Sequence, residues 1–211
     1  VDGEANPEVI AELAIGRLRN KHEQLKQALT GRVRPHHRFI LAELLCQIDG
    51  IDETIERFNQ EIEEFSRPFE QAVQLLDTIP GVARQTAEAI VSEIGTDMSR
   101  FPTANHLAAW AGLAPGNYES AGKRLSHKTR HGSRVLRAIL VQAAHALTQT
   151  KTYLAAQFRR LTGRRGKKRA AVAVAHSILV IAYHLIQRQE VYRDLGADYF
   201  DKQRPESTTK R

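Results

Sequence analysis

Cysteine is nearly absent: Cys46 is the single one in 211 residues. A lone cysteine forms no intrachain disulfide and supplies no thiolate zinc cluster, which suits a reducing cytoplasm. Tryptophan occurs once and aromatic residues make up 6%, so there is little material for stacking a run of single-stranded bases. Residues 1–7 are polar, without the apolar core of a secretory leader. The chain starts without Met, as a processed end or a fragment boundary would. One long apolar run, residues 170–186 (AAVAVAHSILVIAYHLI), follows the basic string RRGKKR. It is about as long as the shortest membrane spans, roughly 17 residues. It also carries His176, Ser177 and His184, which favours a buried core helix and no membrane partner.

Acid is the most unevenly missing component. From Ser120 to Gln189 there is no Asp or Glu, while the same span holds Lys123, Arg124, Lys128, Arg130, Arg134, Arg137, Lys151, Arg159, Arg160, Arg164, Arg165, Lys167, Lys168, Arg169 and Arg188. The whole chain carries +7 with 42% hydrophobic residues. The chain is therefore globular, and it carries a positive surface suited to phosphates rather than charge spread for solubility.

What is present is mostly helical signal. Asn6-Pro7-Glu8 reads as a helix start, and a helix is expected to about residue 29. A second, longer helix is expected over 35–69. In it Leu41, Leu44, Ile48, Ile51, Ile55, Phe58, Ile62 and Phe65 are spaced 3,4,3,4,3,4,3, an a/d seam of about four heptads. The seam predicts a coiled coil, paired either with the first helix or with another chain. Cys46 beside the seam reads as packing, and so does Trp110 further on. A short helix is expected over 104–112 and three more helices over 133–148, 151–161 and 166–187, with few strand signals.

LLDTIPGVARQTAEAIVSEIG, residues 75–95, reads as helix, tight turn, helix, with Pro80-Gly81 as the turn. It resembles the helix-hairpin-helix motif of DNA-repair proteins. There the turn amides and the second helix's N-terminus hold a backbone phosphate, a role that falls here on Pro80, Gly81, Val82, Arg84 and Thr86. The motif's second glycine is Ala83 in this chain. An ordinary helical corner is the alternative reading.

GLAPGNYESAGKRLSHKTRHGSRVLR, residues 112–137, has turn formers, hydroxyls and cations. Ser120 precedes Ala121 and Gly122, which permit close backbone approach, and then Lys123 and Arg124, which can neutralise a phosphate. The residues alone leave two readings open, a turn former or a nucleophile, with Ser126, Thr129 and Ser133 as competing hydroxyls.

The blocks from PGVARQTAEAIV through LAAWAGLAPGNYESAGKRLSHKTRHGSRVLRAILVQAAHA, then TYLAAQFRRL, RRGKKRAAVAVAHSILVIAYHLI and YRDLGADYFD, resemble the C-terminal region of transposases of the insertion-sequence-110 family (the 110/116/902 group). The likeness extends upstream through the heptad arm. It implies that Ser120 is the nucleophile that attacks a DNA phosphodiester. With that role, Lys123 and Arg124 are read as stabilising the charge that develops on the phosphate, and Gly122, Lys128, Arg130, Arg134, Arg137, Arg164, Arg165, Lys167, Lys168 and Arg169 of the glycine turn and basic span as binding nucleic acid. Family members also imply an N-terminal nuclease-like domain whose acids hold Mg2+, here expected on a missing domain and not in this chain. They further imply a structured guide RNA, dimers or tetramers formed through the arm, and a cytoplasmic, nucleoid-associated location.

The expected fold is all-α: a helical coiled-coil arm (1–70), a compact helical domain with the serine loop and the helix-hairpin-helix-like motif (71–198), and a flexible tail (199–211). The expected function is the DNA-binding catalytic portion of a transposase or recombinase, inactive without the acidic domain. A non-catalytic DNA- or RNA-binding remnant and a coiled-coil interaction protein are the alternatives.

Overall fold

A computed structural model describes residues 6–29, 34–114, 116, 118–120, 123–126, 129 and 131–203. The chain divides into two units, residues 1–65 and 66–211. Apart from one two-stranded hairpin, the described residues build an all-α fold.

In the first unit the Asn6 side chain accepts the Glu8 N–H at 3.0 Å and starts helix α1, Pro7–Glu12. The continuous helix expected to residue 29 is broken. Gly16 sits at φ +65°, outside helical space, and a 3-10 turn over Gly16–Lys21 leads into α2, His22–Leu29. The two short helices pack on each other, with Ala11 fully buried and Lys26 paired with Glu8. Helix α3, Pro35–Ser66, then runs 32 residues, about 48 Å at 1.5 Å per residue. It stops short of residue 69 because Pro68 lacks an N–H and disfavours helical backbone at Arg67; residues Arg67–Phe69 are a 3-10 turn. No residue of α3 is buried, and its eight seam side chains are 46–71% exposed. Cys46 beside the seam is exposed as well.

The second unit is built around one helix. Helices α4 (Glu70–Asp77), α5 (Arg84–Ile94), α6 (Ala104–Trp110), α7 (Arg134–Ala146), α8 (Tyr153–Arg165) and α9 (Lys167–Arg188) share a core in which α9 packs against α4, α6, α7 and α8. Small residues on α9, Ala170, Ala171, Ala175 and Ala182, let four neighbours approach it, while Val174, Ile178, Leu179, Leu185 and Ile186 fill the space between. The apolar run is therefore a core helix, with 56% of its most apolar window buried.

After α9 the chain doubles back over the start of α8. Asp194 accepts the Tyr153 N–H at 3.2 Å and the Gly196 N–H at 2.7 Å, and Tyr192 N–H donates to Thr78 Oγ1 at 3.0 Å. The tail expected from residue 199 begins with a short helix, α10 (Tyr199–Gln203), whose Phe200 stacks on Tyr153 and lies under the Arg160 guanidinium.

Candidate nucleic-acid interface

The turn between α4 and α5 is fixed by space as much as by torsion. Gly81 has φ +83°, and a Cβ there would stand 2.7 Å from the Ala143 carbonyl oxygen and 2.9 Å from Leu147 Cγ. The turn is thus pressed onto the C-terminal end of α7, with Val82 buried and Pro80 half-buried. Ala83 caps α5 without offering a side chain to the first-turn amides. Arg84 is held within the fold: its guanidinium donates to both Glu70 carboxylate oxygens at 2.9 and 2.8 Å and pairs with Glu88 at 2.9 Å. The Arg84 bonds hold the Glu70 carboxyl below the ordinary carboxylate range, with Gln74 contributing next. Thr86 is half-buried in the first turn.

The serine loop contains the only strands among the described residues, β1 (Tyr118–Ser120) and β2 (Lys123–Ser126), paired antiparallel. Ser120 is paired with Lys123 and Glu119 with Arg124, with a bulge between Tyr118 and Glu119. The sequence carries a signal for this hairpin in the Gly of Ala121-Gly122 between two polar runs, which helix-directed reading passes over. Gly122, Lys128 and Arg130 lie outside the described residues.

The loop is closed at its stem. A Cβ on Gly132 would fall 2.2 Å from the Gly112 nitrogen and 2.5 Å from the Trp110 carbonyl oxygen, so the chain leaving the hairpin lies directly on the chain that enters it. The next residue, Ser133, accepts the Leu136 N–H at 3.1 Å as the cap of α7 and donates to Glu93 Oε2 at 2.8 Å. Both bonds of its hydroxyl lie within the fold.

These contacts orient α5 against α7. Gly81 meets Ala143 at one end and Glu93 meets Ser133 at the other, so the two helices run antiparallel. The Pro80-Gly81 turn and the serine hairpin stem therefore stand at opposite ends of the pair, about 15 Å apart along the axis. They do not form one pocket. Arg134 and Arg137 sit in the first turn of α7 at the stem end, Arg134 exposed and Arg137 half-buried.

The strongest basic feature is the corner joining α8 to α9. Arg164 and Arg165 close α8, Gly166 (φ +80°) makes the corner, and Lys167, Lys168 and Arg169 open α9, all of them exposed. Cations suit the C-terminal turn of α8. Three of them on the N-terminal turn of α9 oppose its dipole, at about 0.3–1 kcal/mol each. Gly166 brings no capping side chain. Helix stability does not account for this placement.

Trp110, expected in the core, is 46% exposed. Ala104, Leu107, Ala108 and Ala111 define the buried face of α6, and position 110 falls off it. On α9, burial lowers the His176 pKa, and His184 Nδ1 is enclosed without a partner. Among the described residues no group of three His, Cys, Asp or Glu side chains is placed to hold a metal ion.

Residues 73–159, which run from inside α4 to the middle of α8, match the family described as Transposase IS116/IS110/IS902. The chain is 31% identical over 164 residues to the transposase for insertion sequence element IS1111A of Coxiella burnetii, covering 75% of this chain and 44% of that protein. It is 34% identical over 157 residues to the putative transposase y4pF/y4sB of Sinorhizobium fredii, covering 72% and 38%. It is also 30% identical over 122 residues to the pilin gene-inverting protein of Moraxella bovis, covering 56% and 38%. The chain thus spans less than half the length of these relatives.

Proposed function

Because this chain belongs to the IS116/IS110/IS902 family of transposases, we propose that it is the serine-bearing, DNA-binding portion of an enzyme that recombines DNA in the cytoplasm. The observation that carries the reading is the antiparallel register that pairs Ser120 with Lys123, in a hairpin whose stem is locked by Gly132. In the proposed step the Ser120 hydroxyl oxygen forms a bond to phosphorus. The bond from phosphorus to one strand oxygen breaks, and the serine proton ends on that leaving oxygen, directly or through water. Lys123 and Arg124 stabilise the charge that grows on the non-bridging oxygens. Mg2+ belongs, on this reading, with acids supplied by the part of the relatives that this chain does not match.

Grip is assigned to the basic residues. Arg134, Arg137, Arg164, Arg165, Lys167, Lys168 and Arg169 take backbone phosphates, with Lys128 and Arg130 of the loop, and the start of α5 after the Pro80-Gly81 turn takes another through its first-turn amides. A guide RNA and the DNA share this phosphate chemistry. The exposed seam of α3 joins copies of the chain into a dimer or tetramer. Replacing Ile48 and Ile55 by Glu is expected to give a monomer in sedimentation equilibrium, and an unchanged mass would remove the arm from assembly.

The deciding experiment traps the covalent step. The chain is mixed with DNA carrying the element's ends, denatured, and resolved for a protein–DNA adduct, with and without the unmatched portion of a relative added in trans. An adduct in the wild type that disappears in Ser120→Ala supports the nucleophile. Salt-sensitive binding with no adduct under either condition makes the chain a binding module without the chemistry.

A further inference from the structure

We propose that Trp110 is a stacking platform for an unpaired nucleobase of the nucleic acid held by this unit; the inference rests on the nucleic-acid reading above. The indole is left 46% exposed at the end of a helix whose other face, Ala104, Leu107, Ala108 and Ala111, is buried, so its apolar surface stays in water. The ring is also held in place. Phe101 backs it with ring centroids 5.7 Å apart, and the Tyr183 hydroxyl donates to the Phe101 carbonyl at 3.0 Å. A fixed aromatic face loses little entropy when a base lies on it.

Its position points to the occupant. The Trp110 carbonyl is one of the groups on which Gly132 packs, so the residue stands at the stem of the serine hairpin. Two residues beyond Gly132, α7 begins with exposed Arg134 and Val135. Glu93, the acid that meets this stem, is hydrogen-bonded to Ser133, and after Ser133 no acid occurs in the chain until Glu190. Exposed Arg134 supplies a cation for a phosphate beside this place, and the indole offers the π-face that every nucleobase matches. Phe101 also lines an open cleft of about 460 Å³ bearing Asp97, Ser99 and Gln187, groups able to hydrogen-bond the edge of a base. A single exposed indole does not make the broad apolar stripe that a protein helix needs.

Trp110 is the sole tryptophan, so its emission reports this site alone. The full chain is titrated with four unlabelled probes: a single-stranded oligodeoxynucleotide, the oligoribonucleotide of the same sequence, a blunt duplex, and that duplex with one unpaired base. Anisotropy of labelled copies measures binding independently. The expected result is strong quenching by the single-stranded or unpaired-base probes and little by the blunt duplex. Whichever of the deoxy- and ribo-oligomers quenches more strongly identifies the source of the base. Trp110→Ala is expected to weaken binding of the quenching probes about tenfold, in the range of base–aromatic stacking, while Trp110→Phe stays within about threefold of wild type. Saturated anisotropy with unchanged tryptophan emission overturns the platform and leaves the nucleic-acid reading standing. No binding of any probe overturns both. Should Trp110→Ala fail to fold, the wild-type emission and Trp110→Phe still decide.

Discussion

Ser133 and Glu93, forty residues apart in the chain, meet at 2.8 Å between hydroxyl and carboxylate. The same hydroxyl oxygen caps α7 by accepting the Leu136 N–H. One side chain therefore ends the serine loop, starts a helix and ties that helix to α5. Ser133→Ala is expected to cost about 1–2 kcal/mol in urea denaturation, from removal of the cap and the stranded carboxylate. Glu93→Ala should cost less, because the cap survives it. A double-mutant cycle should show coupling of about 0.5 kcal/mol or more. Strictly additive effects would mean that the bond contributes nothing.

Two glycines offer opposite outcomes from the same substitution. A methyl on Gly132 would enter the backbone of residues 110–112, with 2.2 Å to the nearest atom, and backbone cannot move aside as a flexible side chain can. Gly132→Ala is expected to destabilise the second unit by about 3 kcal/mol or more. Gly163 lies inside α8 with nothing near its missing Cβ. There alanine should stabilise by about 0.5–1 kcal/mol. Thermal melts of both variants check the pair, and a Gly132→Ala melt equal to wild type would show that the stem is open.

Much of this architecture is legible in the sequence, and the misses share a physical cause. Helix positions follow from apolar spacing and caps, and the burial of α9 follows from polar groups inside an apolar run. Periodicity says nothing about where two distant segments touch, so the ion pairs that occupy Arg84 and the packing of Gly132 on Gly112 are tertiary facts. The serine hairpin is short, polar and bulged, so it lacks the alternation that marks a strand. Residue type alone puts Trp110 inside; the phase of α6, readable from Ala104, Leu107, Ala108 and Ala111, puts it outside. Gly16 is visible as a glycine, but nothing local distinguishes a tolerated helix glycine from one at positive φ, so the break there emerges only in the structure.

Acid should loosen this protein in two stages. Burial lowers the His176 pKa below its ordinary 6.5, so its contribution is complete above that value and is lost as pH falls through the folded-state pKa. The Glu70 carboxyl is held down by Arg84. Its contribution is present above the ordinary 4.5 and disappears as pH falls through its own lower value. Denaturation midpoints measured from pH 8 to pH 3 should therefore decline first below about 6.5 and again below about 4.5. His176→Phe should flatten the first decline, and Glu70→Gln should reduce the second, to which Glu8, Asp97 and Asp198, also held below their ordinary values, contribute. If both variants follow the wild-type curve, the acid response arises elsewhere.

At the corner of α8 and α9, stability and binding are expected to move in opposite directions. Lys167, Lys168 and Arg169 stand on the N-terminal turn of α9, where positive charge opposes the dipole. Replacing Lys167 and Lys168 by Gln should raise stability by a few tenths to about 1 kcal/mol for each charge removed. The same change should weaken DNA binding across unrelated sequences and lower the salt slope by about one for each phosphate no longer neutralised, because fewer counterions are released. A merely solvated basic surface would give the stability gain without the change in slope. A loss of stability would mean that these lysines hold the fold through bonds of their own. Stability and salt-dependent affinity measured together on one variant thus separate a corner shaped by binding from one that is only exposed.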